Sequence, residues 1–307
     1  MTNLLSKIQR GKLVRPLRIV LYGVEGVGKS TFGSQAPRPV FLCAEDGTAQ
    51  LDVDRLPQPK DWAEVMALLG ALAAEEHAYN TLVVDTLDWL EPLVWAAVCK
   101  KASKSDIEAF GYGKGYVAAL DEWRVFLARL EALQRAKSMH VVLLAHASPK
   151  PHKDPSIEQE YKRWALKLHA SAAGLLSEWA DAVLFAVHES FTAKSDGKVR
   201  GVSTGERVLK TTWTAAHHAK NRFGLPETLP LDWLAFAEAA LPTAPVEDPN
   251  LLLADLQLLI DRLPEAKQAI AREQMNAAGD DPAQLQKLIS RATKTLNLTP
   301  TTETTTP

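Results

Sequence analysis

Cysteine is scarce in this chain of 307 residues: only Cys43 and Cys99 occur, in neither a paired nor a metal-ligand spacing. That excludes a disulfide scaffold and a cysteine-built zinc site. Net charge is almost missing as well. The 35 Lys and Arg nearly cancel the 37 Asp and Glu, so no global field draws the chain to nucleic acid or to an anionic membrane, and such a partner has to be met by a local patch. No apolar run approaches the roughly 18 residues of a membrane span. The opening MTNLLSKIQRGKLVRP lacks the apolar stretch and small-residue cleavage site of a secretory signal. The expectation is a cytoplasmic protein with no membrane partner. What is abundant is apolar side chain, 46% of the residues, which excludes whole-chain disorder and fills a core for about two domains.

Short apolar runs alternate with helical stripes. Leu17 to Tyr22, Pro39 to Cys43, Thr81 to Val84, His140 to Ala145 and Ala182 to Val187 read as buried parallel strands. Trp62, Val65, Met66, Leu69 and Leu72, and then Tyr116, Leu120, Trp123, Leu127, Leu130 and Leu133, recur at helical spacing, with Trp62 and Trp123 as core anchors. The fold class this predicts is α/β, a mainly parallel central sheet flanked by helices. Glycines at 197, 201 and 205 break up residues 188 to 222, predicting a hairpin or a mobile loop. Prolines at 242, 245 and 249 read as a linker to a small C-terminal helical extension, with helical patterns at 250 to 263 and 282 to 293. The domain reading is an N-terminal segment 1–16, a core 17–241, the extension 242–296 and a disordered tail 297–307.

Gly23, Val24, Glu25, Gly26, Val27, Gly28, Lys29 and Ser30, followed by Thr31, match the pattern G-x-x-x-x-G-K-[ST] in full, after a β-run and before a segment able to open a helix. Glycines at this spacing let successive backbone N–H groups turn inward around phosphates. Lys29 then reaches the β- and γ-phosphates of ATP, and the Ser30 hydroxyl is a ligand for Mg²⁺. Leu82-Val83-Val84-Asp85 delivers a carboxylate to the end of an apolar strand. Asp85 reads as the second partner of the Mg²⁺, or as a helix cap.

The loop alone does not decide function. The base-reading N-K-x-D of signalling GTPases is missing, and Thr86 stands where a hexameric unfolding motor carries a glutamate after its metal aspartate. A phosphotransferase acting on a small acceptor stays open, as does a nucleotide-switched adaptor without turnover. The arrangement resembles the RecA-like P-loop ATPases, especially the phage-encoded ones of the single-strand-annealing and recombination type. Four segments carry the likeness: Gly23 to Thr31, Phe41-Leu-Cys-Ala-Glu45-Asp-Gly, Leu82 to Asp85, and Val141-Val-Leu-Leu-Ala-His146.

The resemblance implies a DNA-stimulated ATPase in which Glu45 orients the attacking water. His146 stands where the family commonly has a glutamine that senses the γ-phosphate, and it reads equally as a strand-end histidine bonded to a neighbouring loop. Ala219-Lys220-Asn221-Arg222-Phe223-Gly224 is similar to a segment that reaches a neighbouring subunit's nucleotide; Lys220 and Arg222 would then act across an interface, or else form a solvated basic turn. The implied partners are single-stranded DNA, further copies of the chain in a ring or filament, and a single-strand-binding protein. The compartment, if the chain is phage-encoded, is the host cytoplasm.

Three segments are suited to the DNA strand. Residues 148 to 174 hold Lys150, Lys153, Lys162, Arg163 and Lys167 interleaved with Tyr161 and Trp164, cations for phosphates and rings for bases. Residues 192 to 222 carry Lys194, Lys198, Arg200, Arg207, Lys210, Lys220 and Arg222 against Asp196 and Glu206. The glycine-spaced run Phe110 to Tyr116 presents Lys114 and two tyrosines. The first also reads as an ordinary solvated helix-loop, diluted by Asp154, Glu158 and Glu160, the second as a solubilising hairpin and the third as a flexible helix connector.

Overall fold

The computed structural model describes residues 15–155, 158–195, 198–241, 249–279 and 281–296; side chains of 190–203 and of a few residues from 249 onward are outside the description. The chain divides into two compact units, one ending at Leu241 and the other starting at Pro242.

In the first unit the elements follow in order: β1 (Arg18–Gly23), α1 (Lys29–Ser34), β2 (Pro39–Cys43), β3 (Asp54–Arg55), α2 (Trp62–Ala74), β4 (Thr81–Asp85), α3 (Leu87–Ala102), α4 (Lys114–Lys137), β5 (His140–His152), β6 (Tyr161–Leu166), α5 (Ala170–Trp179), β7 (Ala182–Ser195), β8 (Lys198–Lys210), β9 (Lys220–Asn221), β10 (Thr228–Pro230) and α6 (Trp233–Ala240). The sheet runs β10-β8-β7-β1-β5-β4-β2-β3, with β6 paired to β5 and β9 to β7. From β7 to β3 along this path every pairing is parallel. The result is an α/β fold with a mainly parallel central sheet flanked by helices.

Buried strands of β-branched and large apolar residues send alternate side chains to opposite faces. Ile19 and Leu21 meet Phe32 of α1 and Trp233 and Phe236 of α6 on one face. Val20 and Tyr22 face the other, under α2 to α5. There Trp62, Trp123 and Phe126 pack with ring centroids 5.5–5.7 Å apart, as the helical stripes predict.

Register fixes the site. β1 pairs with β5 so that Gly23 lies beside His146, and β2 pairs with β4 so that Cys43 lies beside Asp85. The loop after β1, the residues just after β2, the end of β4 and the His146 level of β5 therefore share the carboxyl edge of the sheet, where ligands of parallel sheets bind.

Two strands outrun their sequence-predicted ends at Ala145 and Val187. Past the edge, β5 pairs antiparallel with β6, Ala147 opposite Leu166 through His152 opposite Tyr161, and β7 pairs likewise with β8. Pro149 and Pro151 sit on a ribbon projecting beyond the parallel sheet, where proline is tolerated. The stretch that reads as a helix-loop is thus a hairpin.

The second unit holds α7 (Pro249–Arg262), α8 (Glu265–Ala278) and α9 (Pro282–Thr295) around Leu252, Leu256, Ile260, Ala278 and Leu285. Helix α8 escapes the sequence patterns because its sequence, EAKQAIAREQMNAA, offers only Ile270 and Met275 as large apolar residues. Among the described residues no helix is long and apolar enough to cross a membrane.

Candidate nucleotide site and nucleic-acid interface

The loop between β1 and α1 closes on glycine geometry. Gly28 takes φ +106°, which side chains rarely adopt, and a Cβ on Gly23 would collide with the Ala186 carbonyl oxygen of β7. Lys29 follows, only 6% exposed. Its ammonium donates to the carbonyl oxygens of Gly23 at 3.3 Å and Val24 at 3.1 Å. Burial pulls its pKa down, opposed by Asp85, Asp88, Glu45 and Glu25.

Ser30 Oγ donates a 2.6 Å hydrogen bond to Asp85 Oδ2. Asp85 is 3% exposed; burial pushes its carboxyl up, the Ser30 hydroxyl draws it back, and Glu45 adds repulsion. Glu45 is brought alongside because the Ala44 amide donates to the Asp85 carbonyl at 2.8 Å, continuing the β2–β4 pairing by one residue. Thr86 Oγ1 then donates to Glu45 Oε1 at 3.0 Å. The residue that replaces an adjacent glutamate in sequence thus holds a glutamate from the neighbouring strand.

Ser30 and Asp85 are hard oxygen donors in mutual reach. The described residues hold no cluster of three or more His, Cys, Asp or Glu fit for a metal. Mg²⁺ asks for no such cage, since it commonly takes one or two protein oxygens together with substrate phosphates and water. The residues therefore fit that ion.

His146 continues the edge. Its amide donates to Asp88 Oδ1 at 2.8 Å, and Nδ1 lies 2.9 Å from Asp88 Oδ2. Burial raises the Asp88 carboxyl, but its hydrogen bonds with the His146 side chain and amide outweigh that and hold it low. One turn along α3, both oxygens of buried Glu91 accept from the His169 amide at 3.0 Å, and the His169 ring stacks on Tyr116 at 4.1 Å. Asp88 and Glu91 escape sequence reasoning. The available signal is their spacing, Asp85, Asp88 and Glu91 at intervals of three, which carries one acidic line from the strand end onto a helix face.

This line connects the segments read as DNA contacts. Lys114 is exposed at the start of α4, after a left-handed turn that leaves Tyr112 wholly exposed. Lys153 and Lys162 are exposed on the β5–β6 hairpin. Lys150 and Arg163 lie opposite each other across it and line a cavity of about 350 Å³ with His152 and His218. Lys150 is turned inward, its ammonium on the Leu168 carbonyl. Trp164 is turned inward too, stacked on Phe185 at 6.0 Å, so it is occupied by the core instead of offering a face to bases. The outward ring is Trp213, 47% exposed under the Arg163 guanidinium. The side chains of Lys198 and Arg200 lie outside the described residues.

The basic stretch 192 to 222 does not form one patch, because its strands run to different places. Lys210 reaches Thr228 at 3.1 Å. Lys220 and Arg222 sit at the amino edge of the sheet, beside Ala182, the opposite edge from the phosphate loop of their own chain. Lys220 Nζ donates to the carbonyls of Ser177, Glu178 and Ala180 at 2.9, 2.7 and 2.7 Å, closing the end of α5. Arg222 joins Arg15 and Arg18 on Asp181. Neither cation reaches the nucleotide loop of its own chain.

A family model described as an AAA domain matches residues 15–223. The chain belongs to the AAA domain family. This AAA domain is accordingly a P-loop ATPase fold, with the loop, Asp85 and Glu45 inside the matched span. Among solved structures it is similar to the RadB recombinase, at 15% identity and a TM-score of 0.39 over 72% of this chain and 90% of that one, a likeness too remote to bear on function. Among curated proteins, none matches.

Proposed function

We propose that the chain hydrolyses ATP and couples this to single-stranded DNA in recombination or replication. The observation that carries the reading is the convergence of Ser30, Asp85 and Glu45 on one loop, with Ser30 Oγ 2.6 Å from Asp85 and Glu45 held by Thr86. Loop amides and Lys29 bind the triphosphate. Ser30 and Asp85 would hold Mg²⁺, which neutralises phosphate charge when bound. Glu45 accepts a hydrogen bond from the attacking water and aims it at the γ-phosphate, a positioning role that its Thr86 contact keeps fixed.

Support for a DNA partner is the meeting of two candidate segments at the same edge: the Tyr112–Lys114 turn and the β5–β6 hairpin, joined through Tyr116 on His169. Exposed Lys114, Lys153 and Lys162 suit phosphates, and Tyr112 and Trp213 suit stacked bases. His146, bonded to Asp88 beside the loop, is the residue through which nucleotide state would reach the hairpin, since the Lys167 amide donates to its carbonyl at 2.9 Å.

The test is ATPase rate with and without single-stranded DNA, across a salt series and a protein-concentration series. DNA stimulation that fades steeply with salt supports the reading. A rate indifferent to DNA, with ATP consumed only when a small acceptor is present, replaces it with phosphotransfer. Nucleotide binding with no turnover under any condition replaces it with a switched adaptor. The concentration series reports whether turnover needs assembly.

A further inference from the structure

We infer that Arg207 contacts the nucleotide's phosphates from within the same chain, an inference that rests on the phosphate-loop reading above. A Cβ built on Gly28 would lie 2.8 Å from Arg207 Nη1 and 3.6 Å from its Cζ. The guanidinium therefore occupies the space directly over the last glycine before Lys29. Gly28 is the glycine that the phosphate-binding pattern requires, so the cation stands at the loop itself.

The sequence places it there by strand geometry. Leu209 of β8 is buried in the cluster that holds Phe32 and Val27 on the α1 face. Side chains two apart on a strand share a face, so Arg207 is on that face too, just beyond the level of Ala186, the partner of Gly23. Opposite it, β7 shifts register between His188 and Ser190, the kind of irregularity that re-aims side chains beside a site. The Arg207 carbonyl accepts from the Leu231 amide at 3.0 Å, which fixes its backbone while the side chain stays exposed. No ion pair among the described residues engages the guanidinium.

An exposed arginine with no carboxylate partner, held against a loop of inward-turned amides, is built for a polyanion. Its planar fork can take two phosphate oxygens at once. Arg207 thus supplies in cis the charge that the family resemblance assigns to Lys220 and Arg222, which their own chain holds at the far edge.

The test is equilibrium binding of fluorescent ATP and ADP analogues and of adenosine at low protein concentration, for the unaltered chain, Arg207→Ala, Arg207→Lys, Lys210→Ala and Lys29→Ala. Expected is a loss of about tenfold or more in affinity for both nucleotides in Arg207→Ala, partial recovery in Arg207→Lys, and no change in Lys210→Ala, which removes a neighbouring charge on the same strand. Adenosine binding should be insensitive to all of these changes. Circular dichroism confirms the fold of each variant. If Arg207→Ala binds nucleotide within twofold of the unaltered chain while Lys29→Ala does not bind, the inference is overturned and the loop reading stands. If the unaltered chain binds no nucleotide, both fall together.

Discussion

Replacing Asp85 with Asn separates stability from catalysis at one atom pair. The carboxylate is 3% exposed and accepts the 2.6 Å bond from Ser30. Removing an ion from water costs several kcal/mol after relaxation, whereas a hydrogen bond to a charged group contributes about 1.5–3 kcal/mol. Desolvation is the larger, in line with the raised pKa of this group. The sign follows. A carboxyl whose folded pKa is raised keeps its proton over a window in which the unfolded chain has released it. Stability therefore falls as pH climbs from the ordinary value through the folded one, and the penalty is complete above the folded value. Asparagine fills the same space without charge. At pH 7.5, with chelator and no nucleotide, Asp85→Asn should be more stable by about 1 kcal/mol, raising Tm by about 2–4 °C. That gain should shrink as pH falls through the folded value toward the ordinary carboxylate range of about pH 4, where the buried aspartate is already protonated. Turnover should drop by about 100-fold or more, because a donor toward the metal is lost. Scanning calorimetry at three pH values with a parallel ATPase assay reads both effects. A destabilised Asn variant at neutral pH, or a gain that ignores pH, would refute the balance of terms.

Other substitutions probe the neighbouring contacts. Thr86→Val removes the hydroxyl that holds Glu45; a lost bond to a charged group of about 1.5–3 kcal/mol predicts a fall in kcat of about 10- to 100-fold at unchanged KM, and a rise in KM alone would contradict the positioning role. Lys220→Met leaves three carbonyls at the end of α5 without their cation, so chemical denaturation should show a loss of about 1–2 kcal/mol. Its ATPase rate per folded molecule should be unaltered, whereas a slower rate at full stability would restore the cross-subunit assignment.

Much of the fold is legible in the sequence because the central strands are buried on both faces and therefore read as continuous apolar runs, such as RIVLYG and TLVVD. The phosphate loop is legible for a different reason: backbone amides bind the ligand there, so the glycines that free them appear directly in the sequence. Glu45 becomes visible only through the family resemblance, and its anchor Thr86 through neither, since the bond crosses strands far apart in sequence. Asp88 and Glu91 look like ordinary acids of an amphipathic helix. The β5–β6 hairpin is hidden because a ribbon past the sheet edge loses the burial that makes a strand readable, whereas the glycine-spaced stretch 188 to 222 reads as a hairpin or mobile loop and does pair β7 with β8. By charge alone Arg207 belongs with Lys220 and Arg222; only register shows that the strands carry these cations to opposite edges of the sheet.

The most direct measurement places nucleotide binding and steady-state turnover side by side for the unaltered chain and Glu45→Gln, both with Mg²⁺. The account predicts equal affinity within about threefold and turnover lower by about 100-fold or more in the glutamine variant. Equal turnover in the two proteins would contradict it.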